Sequence, residues 1–424
     1  MSGFAKGLKP RNPPPSLPSG SPQFTLSSPR EPLKNLETEL FLSCFPSAYS
    51  ASSAFFNSSQ ITRRTLSTRR GSFSEAPKKI LYCVDCNPVT ISLSKLKLCE
   101  VVGGAALRPS PEDSKIVCRG AEFDSRAIKG GELFVALPGE KTHGHSFVPD
   151  VLGRGAALVL VEDGSAFVSH PDADRIVVVP SSLAAFSQLA SWWRRELNTP
   201  LFAVTGSVGK TTVKEIAAHI LLGVGPGGYS LKSYNNHVGV PYSLCRLSRE
   251  HEWAVVEMGM NHFGEISHLS KLAQPDHVAI TTVAPAHIEC LGSLAGIAQA
   301  KFEIVQGLRP GGSVILRDDS SVIQDELARV DPRGALKVQR FGAEQGSTLR
   351  IVNLKSLGLE GVSFELERMR EGAVERAAVR MSTLGTQNAY NAACAVLAAC
   401  ALVPSMSLEF AAKRLASFVA PLMR

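Results

Sequence analysis

The chain of 424 residues contains no uninterrupted run of eighteen apolar residues, so no segment of it reads as a membrane-spanning helix. The nearest approach, Ala389 to Val403, is alanine-rich and broken by Asn391, which suits a buried helix. Cysteine is sparse. Nine of them, at 44, 83, 86, 99, 118, 245, 290, 394 and 400, exclude the dense disulfide framework of a small secreted domain and point to a reducing compartment. Cys83 and Cys86 have C-x-x-C spacing, but neither a second such pair nor a suitably spaced histidine pair accompanies them, which argues against zinc. A basic surplus of +7 exists, yet residues 1–79 alone hold eleven basic and four acidic side chains, leaving the remaining 345 residues formally neutral. The globular part therefore lacks an electrostatic footprint for nucleic acid or an anionic membrane, and any phosphate must be held locally. There is no internal repeat. What is present, 44% hydrophobic and 20% charged residues, is the composition of a globular protein with two or three domains.

Residues 1–79 contain sixteen serines, ten of the 26 prolines and the late cluster Ile61-Thr-Arg-Arg-Thr-Leu-Ser-Thr-Arg-Arg70. That composition fits a disordered organellar transit peptide, or an ordinary solvated tail; the arginines just before the folded part favour the former. The expected destination is the plastid (chloroplast stroma), with the mitochondrion as second choice. Residues 80–198 alternate short apolar strands with helical stretches, including Glu132–Leu137, Ala156–Val161 and Arg175–Val179, and read as one small α/β domain. Asn198-Thr-Pro200 is the expected hinge. Residues 199–424 bring a more regular series, with strands near 201–205, 253–258, 278–283, 313–317 and 336–341 and helical patterns between them. Strands alternating with helices imply a doubly wound α/β fold with a parallel sheet. Residues 349–367 and 376–381 read as short antiparallel strands forming a small sheet, followed by helices at 387–402 and 407–418.

The strongest local signal is Phe202-Ala-Val-Thr-Gly-Ser-Val-Gly-Lys-Thr-Thr212, a strand turning through glycines into a helix. Gly206, Ser207, Val208 and Gly209 can curl the backbone so that successive N–H groups face one oxyanion, and the helix N-terminus adds partial positive charge. Lys210 can reach terminal phosphates, Thr211 can ligate Mg²⁺, and Thr212 completes the first turn. The loop is shorter than G-x-x-x-x-G-K-[ST], since Val204 stands where the first glycine would be. Glu257 ends the apolar strand beginning at Trp253, at the rim where a parallel sheet presents its ligands. A buried acid there needs a partner, and Mg²⁺ suits it better than solvent alone. His287 follows the strand 278–283 at the same rim and Lys301 lies fourteen residues later in a helical stretch, 296–307, but a lone histidine near a loop and a lysine on a helix are ordinarily solvated polar residues.

Taken in order, Thr205–Thr212, Tyr234-Asn-Asn-His-Val-Gly-Val-Pro241, Val256-Glu-Met-Gly-Met-Asn-His262, Ala286-His-Ile-Glu289 and Ala300-Lys-Phe-Glu-Ile304 resemble the Mur ligases over about residues 89–424. Asn235-Asn-x-x-Gly-Val-Pro241 and Gly264-Glu-Ile266 resemble the branch that adds D-alanyl-D-alanine to a UDP-N-acetylmuramoyl-tripeptide. Asp124-Ser125-Arg126, Gly131–Leu137 and Gly144-His145-x-Phe147 are similar to the segment that holds the uridine nucleotide.

The resemblance implies an ATP-dependent amide ligase of peptidoglycan precursor synthesis, working through an acyl phosphate. It places Thr211 and Glu257 on one Mg²⁺, His287 and a carbamylated Lys301 on a second, Asn388 and Asn391 at the adenine, and Asn235 and Asn236 near the reacting end of the substrate. Catalysis would rest on Lys210, Lys301 and His287. The expected partners are that nucleotide substrate and the dipeptide, with no nucleic acid and no membrane, and the expected state is a monomer. Two departures stand out. Gln387 occupies a position where the family commonly has histidine, exchanging a positive charge for a hydrogen bond. The chain also stops at Pro421-Leu-Met-Arg424, where the family continues into a third domain that receives the amine, so the resemblance implies a truncated form without the dipeptide site. A non-catalytic nucleotide- and substrate-binding module is the first alternative. A P-loop GTPase-type switch is weaker, since no N-K-x-D guanine motif exists. Folylpolyglutamate synthase is disfavoured by Thr211 and the Asn-Asn-x-x-Gly-Val-Pro segment.

Overall fold

Near-continuous apolar strands need cover on both faces, and that requirement organises the protein. The computed structural model describes residues 90–139, 142–286 and 288–420. The transit-peptide assignment, Cys83 and Cys86, and His287 lie outside the described residues.

Residues 105–178 form a five-stranded sheet in the order Ala105–Ala106, Ile176–Val178, Leu158–Val161, Leu133–Val135, Ala121–Glu122. Every neighbouring pair is parallel except the first. Residues from 201 onward form a nine-stranded sheet. From one edge its order is Gly227–Tyr229, Trp253–Glu257, Leu201–Thr205, His277–Ile280, Ser313–Arg317, Lys337–Gly342, Leu349–Ser356, Val362–Arg370, Ala373–Met381. The first seven run parallel, and the last three are joined antiparallel. The antiparallel strands are eight and nine residues long and continue the parallel sheet, through a short register of Phe341 with Leu349 and Gly342 with Arg350. The strand expected to reach residue 283 stops at Ile280, because Thr281 and Thr282 turn toward the neighbouring loop.

Alternation along the central strands divides the core. Phe202, Val204, Trp253, Val255, Ala279 and Ile315 face the helices Lys210–Leu221, Gln387–Leu402 and Leu408–Ala416. Leu201, Ala203, Ala254, Val256, Val278 and Ile280 face the other side, where Ser182–Glu196, Gly239–Cys245 and Glu265–Ala273 pack. The alanine-rich helix Gln387–Leu402 is buried over most of its length between sheet and helix Lys210–Leu221. Among the described residues no helix is long and apolar enough to cross a membrane.

The buried guanidinium of Arg194, at the end of helix Ser182–Glu196, fastens that helix to the segments that lead into the central strands Leu201–Thr205 and His277–Ile280. It donates to the carbonyls of Ala273 (2.7 Å), Thr199 (3.0 Å) and Gln274 (3.1 Å), and to Asp276 Oδ2 (3.1 Å). Asp276 Oδ2 also accepts from the Leu201 N–H at 2.8 Å, fixing where the central strand begins.

Candidate functional site

The central strand Leu201–Thr205 lies between Trp253–Glu257 and His277–Ile280, so the carboxyl ends of three parallel strands open on one crevice. From Thr205 the chain turns through Gly206 (φ +151°) and Gly209 (φ +92°) into helix Lys210–Leu221. A Cβ on Gly206 would overlap the Thr281 hydroxyl, and one on Gly209 would lie 2.5 Å from Asn391 Oδ1. Both positions therefore require glycine. No side chain caps the helix at Gly209, which leaves its first N–H groups facing the loop as an anion site.

The loop is strapped from below by the residues after His277–Ile280. Ser207 N–H donates to the Thr282 carbonyl (2.8 Å), and Val208 N–H donates to Thr282 Oγ1 (3.0 Å). Thr281 Oγ1 donates to the Val208 carbonyl (2.6 Å), and Ser207 Oγ exchanges hydrogen bonds with the Ala284 backbone. Lys210 Nζ folds back onto the carbonyls of Gly206 (2.7 Å) and Ser207 (3.4 Å). Burial lowers its pKa, against the attraction of Glu257. Thr212 is half-buried in the same turn.

Glu257 is 1% exposed. Its Oε2 accepts from Thr211 Oγ1 (2.9 Å) and its Oε1 from Asn235 Nδ2 (2.8 Å). Neither donor is charged, so the carboxyl group sits beside the phosphate loop with neutral hydrogen-bond partners. A carboxylate and a hydroxyl form a hard oxygen set of the kind Mg²⁺ selects. Asn236 turns elsewhere, its Oδ1 accepting from the N–H groups of Val238 and Gly239 at the start of helix Gly239–Cys245.

Lys301, on helix Leu294–Phe302, is 3% exposed. Burial, and secondarily the nearby Lys210 charge, pushes its pKa down to about 7. A buried lysine near neutrality is a nucleophilic amine rather than a fixed cation. With His287 outside the described residues, the second expected metal ligand set is represented by Lys301 alone, and no group of three or more His, Cys, Asp or Glu poised for a metal occurs among the described residues. Asn391 donates to Asn388 Oδ1 (3.0 Å), and Asn388 donates to the Leu384 carbonyl (2.7 Å), which sets the start of helix Gln387–Leu402 against Gly209.

The remaining candidates sit on the five-stranded sheet. Asp124 caps the turn Ser125–Ala127 and pairs with Arg126 through two bonds of 2.9 and 2.7 Å. That pairing holds the Asp124 carboxyl below the usual range. Ser125 is buried beneath them. Gly144 approaches the Ala136–Leu137 backbone so closely that a Cβ would sit 2.7 Å from it. His145 Nε2 accepts from the Glu162 N–H at 3.0 Å, and burial lowers its pKa, so the ring is neutral and anchored.

Several residues escaped the sequence reading. Thr281 and Thr282 look like ordinary strand formers there. Phe123 meets Tyr242 and Tyr234 edge to face, with centroids 5.1 and 6.1 Å apart, and Tyr242 Oη donates to Glu122 at 3.0 Å. This cluster joins the segment before Asp124 to the segment before Asn235. Arg317 stacks over Tyr390 at 4.0 Å. Neither the aromatic trio nor the stacked pair has a spacing signal, since each joins residues far apart in the chain.

Sheet, glycine turn and uncapped helix define the class, an α/β protein built around a phosphate-type loop. The family follows from comparison: residues 204–399 match the Mur ligase middle domain and residues 119–193 match the Mur ligase family catalytic domain. The chain belongs to the Mur ligase family. Among curated relatives it resembles the UDP-N-acetylmuramoyl-tripeptide--D-alanyl-D-alanine ligase of Synechocystis sp. (37% identity, covering 57% of this chain and 52% of the relative). It resembles the same-named ligase of Escherichia coli at 36% identity, covering 64% and 58% respectively. The solved structure of MurF from Acinetobacter baumannii aligns with a TM-score of 0.68 and 28% identity, over 79% of this chain and 70% of that one. The chain spans about half the length of the first curated relatives it matches.

Proposed function

We propose that this chain binds ATP with Mg²⁺ and serves the ATP-dependent addition of D-alanyl-D-alanine to a UDP-N-acetylmuramoyl-tripeptide, through an acyl phosphate. The observation that carries this reading is the meeting of an uncapped helix N-terminus, Lys210 and the buried Glu257 carboxyl group at the ends of adjacent strands. The donor chemistry fits: backbone N–H groups and an ammonium suit phosphates, and a carboxylate with a hydroxyl suits Mg²⁺. When bound, ATP supplies the phosphoryl group that activates a carboxylate, and Mg²⁺ supplies positive charge between the two anions.

The chain's own residues do the rest. Lys210 leaves the Gly206 carbonyl to meet the terminal phosphates, replacing a neutral acceptor by a charged one. Thr211 and Glu257 orient the cation, while the Thr281–Thr282 strap keeps the loop in shape before the nucleotide arrives, so little reorganisation remains for the reaction step. Lys301, as free amine, can take up CO₂ to give a carbamate and a proton, which puts an anionic oxygen ligand where a neutral amine stood. Asn388 and Asn391 are assigned to the adenine, and Asp124, Ser125, Arg126, Gly144 and His145 to the uridine nucleotide, on the strength of the motif matches. Delivery to plastids by residues 1–79 rests on composition alone.

Calorimetric titration with ATP, with and without Mg²⁺, tests the reading. Magnesium-dependent binding that Lys210→Ala removes supports it; unchanged affinity in Lys210→Ala refutes the loop assignment.

A further inference from the structure

We infer that Asn235 is a positioning residue that holds the Glu257 carboxylate in the orientation a cation requires, an inference that rests on the nucleotide reading above. Asn235 spans both sides of Glu257. Its side-chain amide donates to Glu257 Oε1 at 2.8 Å, and its carbonyl accepts from the Gly259 N–H at 2.8 Å, two residues further on. The fit is tight, because a Cβ on Gly259 would lie 2.8 Å from the Asn235 amide carbon. The same segment also grips the backbone of Glu257, whose N–H donates to Ser230 Oγ at 3.2 Å.

That segment is in turn tied to the helix of the phosphate loop. Lys214, fully buried one turn beyond Thr211, donates to the carbonyls of Ser230 (2.9 Å) and Lys232 (2.5 Å). Residues three apart share a helix face, so Thr211 and Lys214 reach the carboxylate and its support from one side. The choice of an amide matters. An arginine or lysine at 235 would fix the carboxylate equally well but would cancel the charge that attracts a cation; an amide fixes it and leaves the charge. With one oxygen occupied by Thr211 and the other by Asn235, a carboxylate with roughly four lone-pair sites keeps about two for a metal. Groups that orient a metal ligand in this way change metal affinity by about 10–100-fold when removed.

The test is ATP binding by calorimetry in EDTA and in Mg²⁺, on the whole chain, for wild type, Asn235→Ala, Glu257→Gln and the double variant. Asn235→Ala should leave the EDTA affinity unchanged, which also reports an intact loop, and should cut the magnesium-dependent gain about 10–100-fold. In the Glu257→Gln background the same substitution should change nothing further, since the charged ligand that Asn235 orients is gone. Asn235→Ser, smaller and polar, provides the same comparison should the alanine variant misfold. An equal loss with and without magnesium, an unchanged magnesium gain, or an additive double variant overturns the positioning role. A wild type without any magnesium-dependent ATP binding instead defeats the nucleotide reading itself.

Discussion

Replacing Lys301 by methionine removes a buried amine and should make the protein's stability less dependent on pH. The native amine releases its proton near pH 7 and the unfolded one near 10.5. Between those values the unfolded chain holds more protons than the native one, so stability rises with pH across that window and the destabilisation is complete only below it. For a single site, the penalty relative to a neutral group falls by about 2 kcal/mol between pH 7 and pH 9. Methionine has nearly the same length and no proton to exchange. The assay is urea unfolding of wild type and Lys301→Met at both pH values, in metal-free and CO₂-depleted buffer so that the amine remains unmodified. Wild type should gain about 2 kcal/mol on the variant as pH rises. A difference between the two proteins that stays constant from pH 7 to pH 9 refutes the reasoning. It would mean that the amine finds a compensating partner or remains solvated.

Three further outcomes are expected. Gly209→Ala forces a side chain into a left-handed backbone and against Asn391 Oδ1, so it should cost about 1–3 kcal/mol in thermal unfolding and weaken ATP binding in calorimetry; a variant equal to wild type in both would contradict the loop geometry. Tyr242→Phe leaves Glu122 without its hydroxyl donor and should destabilise the protein by about 1.5 kcal/mol in urea unfolding at pH 7, an effect absent if the cluster is merely in contact. A reporter fused to residues 1–79 should reach plastids in leaf cells under the microscope, whereas a cytosolic signal would remove that proposal.

The parallel sheet was legible because its strands are nearly continuous apolar runs separated by helical patterns, with 201–205, 313–317 and the start of 253–258 matching the observed elements closely. The phosphate loop was legible for a related reason: strand, glycines and helix are contiguous, so one window of sequence contains the whole device. Glu257 could be read as well, since an acid closing an apolar strand is a local anomaly. Lys301 could not. Its helix, Leu294-Ala-Gly-Ile-Ala-Gln-Ala-Lys-Phe302, is apolar on most sides, and only the packing shows that the lysine is buried. Thr281 and Thr282 were missed because their partners lie some seventy residues earlier, brought adjacent by strand order rather than by spacing. The antiparallel strands were visible, but their continuation from the parallel sheet depends on two residue pairs that alternation does not encode.

The packing of helix Gln387–Leu402 on helix Lys210–Leu221 has a consequence for biosynthesis. The earlier helix leaves the ribosome with its apolar face uncovered, and its cover is encoded roughly 180 codons downstream. At about 5–20 residues per second this leaves a sticky surface bare for some ten to forty seconds. A nascent chain in that condition is a natural client for a holding chaperone, and slowing translation just before codon 387 should raise its tendency to aggregate.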